Sequence, residues 1–394
     1  MSDLRRIAVV TATRAEYGLL MPVIKELKKL ESDSFRVEII VTGTHLRKEY
    51  GYTIEEIESD GFNIDHRIEI SVNNSDPNDI SENQAEALIK FTGLFYDRKY
   101  NAVMILGDRY EMLAIAMAAV NTRTAVFHLC GGDISEGAID DCIRHSITKM
   151  SYLHFPTNEY SKRRIIQLGE EPERVFNYGS TSVDNIINYA DMDKKSALES
   201  IGLGDVRYAL CTYHPETIEN SDEVTLMREV FDAIRNYPEI CFVFTKSNAD
   251  QGGSKINSIL DEASRKIDNV RVYSSLGVRR YLSLMKYAEF VLGNSSSGII
   301  EAPVLRVPTI NIGDRQRGRL QAESIINCAY DSKSITDAIS KAMSKEHLTV
   351  CKKVQSPYGS GNAGERIAQK AYETVMGGKI DLKKKFYDLG MVAT

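Results

Sequence analysis

Paired cysteines and long apolar runs are both missing from this sequence of 394 residues. No two cysteines form a Cys-x-x-Cys pair, which predicts reduced and largely buried thiols; the six are Cys130, Cys142, Cys211, Cys241, Cys328 and Cys351. No apolar run approaches the roughly 18 residues that a membrane-spanning helix requires, and none near the first residue resembles a signal peptide. We therefore expect a cytoplasmic protein without a membrane partner.

Positively charged residues are also fewer than negatively charged ones. The sequence has 49 Lys and Arg residues against 55 Asp and Glu residues, which gives a net charge of −6. Proteins that bind nucleic acids in general are usually basic, so we expect no nucleic-acid partner. The hydrophobic fraction of 43% and the charged fraction of 26% are those of a globular protein. The length is sufficient for two domains of ordinary size.

Two familiar nucleotide-binding loops are absent as well. No Gly-x-x-x-x-Gly-Lys-Ser/Thr segment occurs, which argues against ATP hydrolysis of the P-loop type. The first predicted strand is followed by Thr11-Ala-Thr-Arg14 instead of Gly-x-Gly-x-x-Gly, which argues against a dinucleotide redox cofactor. The spacings of cysteine and histidine match no zinc site. The sequence therefore predicts neither a cofactor nor a metal.

Short β-rich runs alternate with amphipathic helical patterns along the whole chain. This alternation is typical of parallel sheets that are covered by helices on both faces. It predicts an α/β fold with two Rossmann-like domains that face each other across a cleft. The predicted strands are Arg6–Thr11, Arg36–Val41, Ala102–Leu106, Ala125–His128, Tyr152–Phe155, Tyr208–Tyr213, Cys241–Thr245, Val270–Tyr273, Phe290–Leu292 and Pro308–Ile312.

Turn residues at positions 177–183 indicate a linker between the two halves. We place the N-terminal domain at residues 1–180 and the C-terminal domain at residues 181–362. Within the remaining segment, 363–394, a last helix at about Ala363 to Met376 is expected to return and pack on the first domain. We expect the charged stretch 379–385 to be a solvated surface.

The segment 292–319 carries the strongest indication of a ligand. A predicted strand ends in small hydroxyl residues, and a helix is predicted from Ser297 to Leu305. Hydroxyls and backbone N–H groups at a helix N-terminus bind phosphate well, and Glu301, one turn inside that helix, is placed to accept both hydroxyls of a ribose. The next strand is followed by three cations, Arg315, Arg317 and Arg319. Together these features predict a nucleotide-diphosphate ligand.

Polar side chains follow several other predicted strands, at the edge where doubly wound sheets bind their ligands. They are Arg14, His45, Asp108, Arg109 and His214. Asp108 is a candidate general acid or base, and the alternative is a residue that caps a turn. His214 is a candidate for phosphate binding or proton transfer. For His45 and His214 the alternative is a purely structural role. For Arg14 the alternative is helix capping.

A dense group of charged residues lies between positions 128 and 145. It combines Arg144 with four carboxylates, Asp133, Glu136, Asp140 and Asp141. On a helix, Asp140 and Arg144 would share a face. The alternative is an ordinary helix start, at which the acids stabilise the dipole. The adjacent Gly131-Gly132 pair and the nearby strand end at Asp108 favour a functional role.

These motifs together resemble the hydrolysing UDP-N-acetylglucosamine 2-epimerases of the sialic-acid pathway. The resemblance covers nearly the whole chain, and its marks are Thr13–Tyr17, Thr42–His45 with Tyr50-Gly51, Leu106–Glu111, Ile139–Asp141 with Ile143–Lys149, His214–Glu216, Gly293–Ser296 with Glu301, and Gly313–Gln316. It implies the two-domain arrangement of glycosyltransferase-B enzymes, a UDP-sugar substrate, and a homodimer or higher homo-oligomer.

The resemblance also implies a reaction. UDP is eliminated from UDP-N-acetylglucosamine, and water adds to the resulting 2-acetamidoglucal to give N-acetylmannosamine. The implied catalytic carboxylates are Asp108, Asp140 and Asp141, while Arg144 orients the acids or binds phosphate. The residues implied to contact UDP are Arg14, Arg109, His214, Asn248, Ser295, Ser296, Glu301 and Arg315. From their positions after strands we add His45 and Arg319 as ligand contacts and His214 as a catalytic candidate.

One position departs from the family pattern. Many relatives carry a catalytic Glu two residues after the histidine equivalent to His128, and this chain has Cys130 there. Asp133 and Glu136 are candidates for the missing carboxylate, and a different division of the acid–base roles is the alternative. The difference leaves open a sister branch that acts on UDP-2,4-diacetamido-2,4,6-trideoxyglucose. The competing functional classes are a UDP-sugar glycosyltransferase, a nucleotide-sugar sensor without turnover, and a non-hydrolysing epimerase.

Overall fold

The protein has two compact α/β units. The structure, a computed structural model, describes residues 4–73, 76–134, 139–214, 223–246, 253–378 and 380–390. Unit 1 consists of Met1–Asp184 together with Gly361–Thr394, and unit 2 consists of Asn185–Ser360.

Strands and helices alternate through both units. The strands are β1 (Arg5–Thr11), β2 (Phe35–Thr42), β3 (His66–Ile68), β4 (Ala102–Leu106), β5 (Ala125–Leu129), β6 (Leu153–Phe155), β7 (Tyr208–Thr212), β8 (Cys241–Thr245), β9 (Val270–Tyr273), β10 (Val291–Gly293), β11 (Thr309–Ile312) and β12 (Ile325–Cys328). The helices are α1 (Arg14–Lys29), α2 (Ile54–Ser59), α3 (Pro77–Arg98), α4 (Tyr110–Asn121), α5 (Ile139–Met150), α6 (Glu159–Gln167), α7 (Thr181–Tyr189), α8 (Lys194–Glu199), α9 (Glu223–Ile234), α10 (Gly253–Lys266), α11 (Gly277–Tyr287), α12 (Ser296–Ile300), α13 (Ser332–Ala342), α14 (Lys345–Lys353) and α15 (Ala363–Met376). Within the described ranges, no helix has an apolar stretch long enough to cross a bilayer.

Each unit contains a six-stranded parallel sheet, and the two sheets have the same strand order. The order in unit 1 is β3-β2-β1-β4-β5-β6, and the order in unit 2, β9-β8-β7-β10-β11-β12, repeats it. The direction in which successive strands are added to the sheet reverses between β1 and β4 in unit 1 and between β7 and β10 in unit 2. In doubly wound sheets, ligands bind outside the carboxyl ends of the strands at this switch point.

The central strands are apolar on both faces because helices cover both faces of each sheet. Every residue of β4 is buried, as is every residue of β7. The ten strands predicted from the sequence are all present, with ends that agree within one residue. Two short edge strands, β3 and β12, were not predicted. They are three and four residues long and only partly buried, so they lack the continuous β-rich run of an inner strand.

The helix predicted at residues 297–305 is shorter than expected. α12 ends at Ile300, and Glu301 is its C-cap instead of a residue one turn inside it. Pro303 explains the early end, because proline supplies no backbone N–H and disfavours helical geometry at the preceding residue.

α15 packs against α1 and β1 within unit 1. Its first turn is held by Asp184, whose carboxylate accepts hydrogen bonds from the backbone N–H groups of Ala363 and Gly364 at 3.0 and 2.6 Å. A Cβ atom on Gly364 would lie 2.9 Å from the backbone carbon of Pro22 in α1. The missing side chain therefore permits the close approach of the two helices.

Most of the described residues in the charged stretch 379–385 are exposed, and one of them, Lys384, is half-buried beside an internal carboxylate. The ammonium group of Lys384 lies 2.6 Å from Oε2 of the fully buried Glu170. The same group donates to the backbone oxygens of Lys149 and Ser151 at 3.0 and 2.6 Å. A run of charges in the sequence gives no sign of this burial, because its partner carboxylate is distant along the chain.

Candidate active site

The ends of β1 and β4 are neighbours at the switch point of unit 1. The chain enters α1 through a capping box, in which Thr13 Oγ1 accepts from the N–H of Glu16 at 3.3 Å and the Glu16 carboxylate accepts from the N–H of Thr13 at 3.1 Å. Arg14 is exposed at the first position of α1. After β4, Gly107 has a φ of +81°, which glycine adopts without strain. This turn carries Asp108 and Arg109.

Arg144 of α5 brings three of the predicted acids together. Its nearly buried guanidinium donates from Nε to Oδ2 of Asp108 at 2.7 Å, and one terminal amine contacts the same oxygen. The other amine donates to the backbone oxygen of Asp133 at 2.8 Å and to Oδ1 of Asp141 at 3.3 Å. A planar group with five donors suits this arrangement, which supports an orienting role for Arg144.

The two adjacent acids of α5 have different surroundings. Asp141 contacts both Arg144 and His145, whose Nε2 lies 3.4 Å from the second carboxylate oxygen. Asp140 is exposed, and no described residue donates a hydrogen bond to it. Partial loss of hydration, followed by the negative charge of Asp108, raises the pKa of Asp140 above its ordinary value. Of these acids, Asp140 is therefore best placed to exchange protons with a ligand.

Asp133 is engaged with the start of α6. Its Oδ1 accepts hydrogen bonds from the hydroxyl of Ser161 and from Nδ2 of Asn158, the latter at 3.3 Å. These contacts hold the loop in place, and the backbone oxygen of Asp133 in that loop accepts a hydrogen bond from Arg144. They favour a positioning role for Asp133 over direct acid–base chemistry. The other candidate for the missing carboxylate, Glu136, lies outside the described residues.

His45 is fully buried and both of its ring nitrogens are occupied. Nε2 lies 3.0 Å from Thr11 Oγ1, and Nδ1 lies 2.8 Å from Thr53 Oγ1. Burial lowers the pKa of His45 to about 4, so the ring is neutral at physiological pH. This geometry gives no support to the predicted ligand contact, and it revises the role of His45 to holding the end of β1.

His128 has a comparable role at the end of β5. Its Nε2 lies 2.8 Å from the backbone oxygen of Gly107, and burial lowers the pKa of His128 to about 3. A neutral ring that donates from Nε2 fixes the turn that carries Asp108. Gly131 passes close above this ring, because an added Cβ atom there would lie 2.9 Å from Nδ1. The small residue at this position is thus explained by packing.

Two buried glutamates flank Arg109, and neither was predicted to have a role. The Nε of Arg109 is 2.6 Å from Oε1 of Glu111 and 3.9 Å from Oε1 of Glu16. Burial, followed by the charge of Glu111, raises the pKa of Glu16 to about 8. Both glutamates stand in the motifs at 13–17 and 106–111, but their burial only becomes visible in the fold.

In unit 2, His214 and Asn294 connect the ends of β7 and β10. The amide of the fully buried Asn294 accepts from the backbone N–H of His214 at 2.7 Å and donates to its carbonyl oxygen at 2.8 Å. A Cβ atom on Gly293 would lie 2.0 Å from the backbone oxygen of Thr212, so this close approach of the strands requires glycine. His214 is therefore held at the switch point of the second sheet.

Hydroxyl groups surround the start of α12. Ser295 Oγ accepts from the N–H of Ser297 at 3.4 Å and from its hydroxyl at 3.1 Å. The hydroxyl of Tyr281 lies 2.7 Å from Ser297 Oγ. Ser296 is the first residue of the helix, and Glu301 is the C-cap. Burial raises the pKa of Glu301 to about 7.

The segment after β11 contacts the end of β10. A terminal amine of Arg315 donates to the backbone oxygen of Asn294 at 3.1 Å, and Nε2 of Gln316 donates to the same oxygen at 2.7 Å. Arg315 is otherwise exposed, and Arg319 is half-buried. Asn248, which was predicted to contact UDP, lies outside the described residues. Among the residues that are described, no group of three or more His, Cys, Asp or Glu side chains could hold a metal ion.

The sequence profile of the UDP-N-acetylglucosamine 2-epimerase family matches residues 28–371. The chain belongs to this family. It is an enzyme of the epimerase class, and its two parallel-sheet units have the glycosyltransferase-B-like fold of such epimerases.

Three relatives illustrate the range of the family. The GDP/UDP-N,N'-diacetylbacillosamine 2-epimerase (hydrolyzing) of Campylobacter jejuni is 41% identical over 347 residues, which cover 87% of this chain and 88% of the relative. Polysialic acid biosynthesis protein P7 of Escherichia coli is 36% identical, with 91% and 92% covered. The UDP-N-acetylglucosamine 2-epimerase of Neisseria meningitidis is 33% identical, with 86% and 88% covered.

Solved structures of epimerases share the fold of this family member. The UDP-GlcNAc 2-epimerase of Neisseria meningitidis bound to UDP-GlcNAc matches with a TM-score of 0.73 at 18% identity, and the match covers 93% of this chain and 100% of the other. The enzyme of Methanocaldococcus jannaschii in complex with UDP-GlcNAc and UDP matches with a TM-score of 0.77 at 21% identity, covering 93% and 99%.

Proposed function

We propose that this epimerase hydrolyses UDP-N-acetylglucosamine to UDP and N-acetylmannosamine. The observation that carries the proposal is the group formed by Asp108, Asp140 and Arg144. One carboxylate is oriented by a buried guanidinium, and the other is unengaged and has a raised pKa. Two differently placed acids are what a reaction needs when it removes a proton and returns one to the same carbon.

The proposed reaction has two steps. In the first, a base removes the proton at C2, the C1–O bond breaks, and its electron pair leaves with UDP, which gives a 2-acetamidoglucal. In the second, water adds its oxygen to C1 and releases one proton to solvent, while an acid protonates C2 on the opposite face. We assign the base to Asp108, because Arg144 contacts only its Oδ2 and leaves Oδ1 without a described donor. We assign the acid to Asp140, because its pKa is raised above the ordinary value by partial burial and by the charge of Asp108, which favours the protonated form.

Unit 2 supplies the groups proposed to hold UDP. Ser295, Ser296 and Arg315 offer donors and positive charge to the diphosphate, and Glu301 offers a carboxylate to the ribose. His214 is proposed to contact phosphate because the Asn294 amide fixes its backbone. Arg14, Arg109, Arg319 and Asn248 are the further proposed contacts. We also propose that the units act as separate domains and that the enzyme is a cytoplasmic homodimer or higher homo-oligomer.

A reaction in D₂O with UDP-N-acetylglucosamine and no acceptor tests the proposed function. We expect release of UDP together with free N-acetylmannosamine that carries deuterium at C2, because the returned proton comes from solvent. Reaction in ¹⁸O-water should label the sugar and leave the UDP unlabelled. A product that keeps its original hydrogen at C2 would exclude elimination. UDP-ManNAc without free UDP would indicate a non-hydrolysing epimerase, and no turnover without an acceptor would indicate a glycosyltransferase.

A second candidate substrate is UDP-N,N'-diacetylbacillosamine, which has an acetamido group at C4 and no hydroxyl at C6. The observation that favours it is the identity of 41% to a relative named for that substrate, against 33% to a relative named for UDP-N-acetylglucosamine. Parallel NMR time courses with the two UDP-sugars, at equal enzyme concentration, compare their kcat/KM directly. The larger value identifies the substrate.

A further inference from the structure

Arg109 is held on one side by two buried carboxylates. Its Nε donates to Oε1 of Glu111 at 2.6 Å, and the same nitrogen is 3.9 Å from Oε1 of Glu16. The side chains of Glu16 and Glu111 are 6% and 2% exposed, whereas that of Arg109 is 39% exposed. The Nε edge of the guanidinium therefore faces the buried carboxylates, and part of the side chain remains exposed.

The two glutamates come from different helices. Glu16 lies in the first turn of α1, where its Oε2 accepts from the N–H groups of Ala12 and Thr13 at 2.8 and 3.1 Å. Glu111 lies in the first turn of α4, where the helix dipole favours a negative charge. The contacts of the two glutamates with Arg109 thus connect the end of β1 to the end of β4. These are the two strands that flank the switch point.

One oxygen of each glutamate has no hydrogen-bond partner among the described atoms: Oε1 of Glu16 and Oε2 of Glu111. Two buried carboxylates beside a single cation leave one negative charge uncompensated, which is unfavourable away from water. A single proton bound by Glu16 removes the excess charge.

The electrostatics of the pair agree with this geometry. Burial and then the charge of Glu111 raise the pKa of Glu16 to about 8, against the opposing charge of Arg109. Glu111 and Arg109, both from the segment after β4, are the charged groups that face Glu16. Arg109 in turn acts on Tyr110 beside it and on Asp140 of α5.

We propose that Glu16, with one bound proton, and Glu111 are positioning residues that hold Arg109 by its Nε edge and leave its terminal amines for the diphosphate of the substrate. The proposal rests on the proposed function, which supplies the anion. Loss of the proton from Glu16 places a second negative charge beside the guanidinium and opposes binding of that anion. The contribution of Arg109 to substrate binding should therefore be complete below the pKa of Glu16 and fall as the pH rises through about 8.

The first test is the pH profile of Glu16→Gln. Glutamine reproduces the protonated side chain, so we expect kcat/KM at neutral pH close to that of the wild type. The wild type should lose activity as the pH rises through about 8, and the variant should not. A merely structural role for Glu16 would leave the alkaline limb in place. The same limb in the variant and the wild type would overturn the proposed proton on Glu16.

The second test separates positioning from chemistry. Glu111→Gln should raise KM for the UDP-sugar about tenfold to a hundredfold, the cost of weakening a charge-assisted contact, with a smaller change in kcat. The matched control is Glu58→Gln, an exposed glutamate paired with Arg67, which should leave KM unchanged. If Glu111→Gln does not fold, Arg109→Lys tests the same contact. Lysine keeps the positive charge but has no equivalent of the Nε that donates to Glu111. Unchanged KM in the folded variant would overturn the positioning role. Absence of turnover in the wild type with either UDP-sugar would instead refute the proposed function.

Discussion

Arg144 and Asp108 are bound to each other across the end of the unit 1 sheet. The guanidinium comes from α5 and the carboxylate from the turn after β4, and Nε lies 2.7 Å from Oδ2. The cation is almost fully buried, whereas 28% of the Asp108 side chain is exposed. Both contacts from Arg144 go to one oxygen, so the carboxylate is held by Oδ2, and Oδ1 has no donor among the described residues. Such an arrangement suits a base that must approach a C–H bond from a defined direction.

Replacing Asp108 by Asn should abolish release of UDP while the fold is kept. Asparagine has nearly the same shape but cannot take a proton, and loss of a general base typically costs about 10²–10⁴-fold in rate. Coupled detection of UDP gives the rate, and calorimetry with UDP should show an affinity close to that of the wild type. Asp97→Asn, at an exposed position of α3, is the matched control. Substantial turnover by a folded Asp108→Asn protein would show that another group removes the C2 proton.

Replacing Asp140 by Asn should have a different result. If Asp140 is the acid of the second step, the variant still releases UDP but accumulates 2-acetamidoglucal, because C2 is not protonated. NMR resolves the olefinic proton of this intermediate. The pKa of Asp140 is raised, and its protonated form is the one required, so hydration in the wild type should slow as the pH rises through that pKa. Equal loss of both steps in Asp140→Asn would contradict this division of roles.

Much of the fold follows from patterns that are local in the sequence. Inner strands such as β4 and β7 are continuous apolar runs between turn residues, and their ends place Asp108 and His214 at the two switch points. The edge strand β12 is half-buried, so it has no such run. The early end of α12 is also a local effect, since Pro303 is visible in the sequence and its influence on the preceding residues is known.

The candidate site was less predictable, because the role of a side chain depends on which way it faces. His45 follows a strand as His214 does, but its ring is turned inwards and occupied on both sides. Glu16 looks like a helix-capping residue in the sequence, and it is one. Its second role arises because Arg109, from a distant segment, lies against its other oxygen. Contacts of this kind depend on the tertiary structure, and single-sequence patterns do not carry them.

Replacing Glu301 by Gln should stabilise unit 2 at alkaline pH and weaken UDP binding. Burial raises the pKa of Glu301 to about 7 from an ordinary value of 4.5. The folded state therefore binds more protons than the unfolded state between these values, so the stability of the wild type falls as the pH rises from about 4.5 to 7. Glutamine has no charge to bury, and we expect a gain of about 1–3 kcal/mol at pH 8 and almost none at pH 5. Urea unfolding at the two pH values measures the gain. A variant that is less stable than the wild type at both pH values would contradict the expectation that burying the ionised carboxylate is unfavourable.

The same Glu301→Gln protein tests the ribose contact. An ionised carboxylate accepts hydrogen bonds from two hydroxyl groups, whereas an amide offers a single, neutral acceptor. We expect the affinity for UDP to fall by about 1.5–3 kcal/mol, the usual contribution of a charge-assisted hydrogen bond. Calorimetry at pH 8, where the wild-type carboxylate is ionised, gives the comparison. Arg315→Ala should weaken UDP binding by a similar amount, and unchanged dissociation constants for both variants would exclude the proposed nucleotide site.

The last prediction concerns Lys384, a half-buried lysine of the C-terminal segment. Glu170 is fully buried, and burial alone would raise its pKa; hydrogen bonds from His154, Lys149 and Lys384 outweigh burial and hold the pKa at about 2. Lys384→Met keeps the length of the side chain but removes one of these donors. We expect a loss of about 1–3 kcal/mol in the free energy of unfolding at neutral pH, because two partners of the carboxylate remain.

The pH dependence of this loss distinguishes a charge effect from lost packing. Because the folded pKa of Glu170 is depressed, its contribution to stability is complete above the unfolded value of 4.5 and disappears as the pH falls towards about 2. The difference between the wild type and Lys384→Met should therefore shrink over that range, as followed by urea unfolding. Lys385→Met, at the exposed neighbouring position, should match the wild type throughout. A difference that stays constant down to the lowest pH would mean that the methylene chain of Lys384, and not its charge, stabilises unit 1.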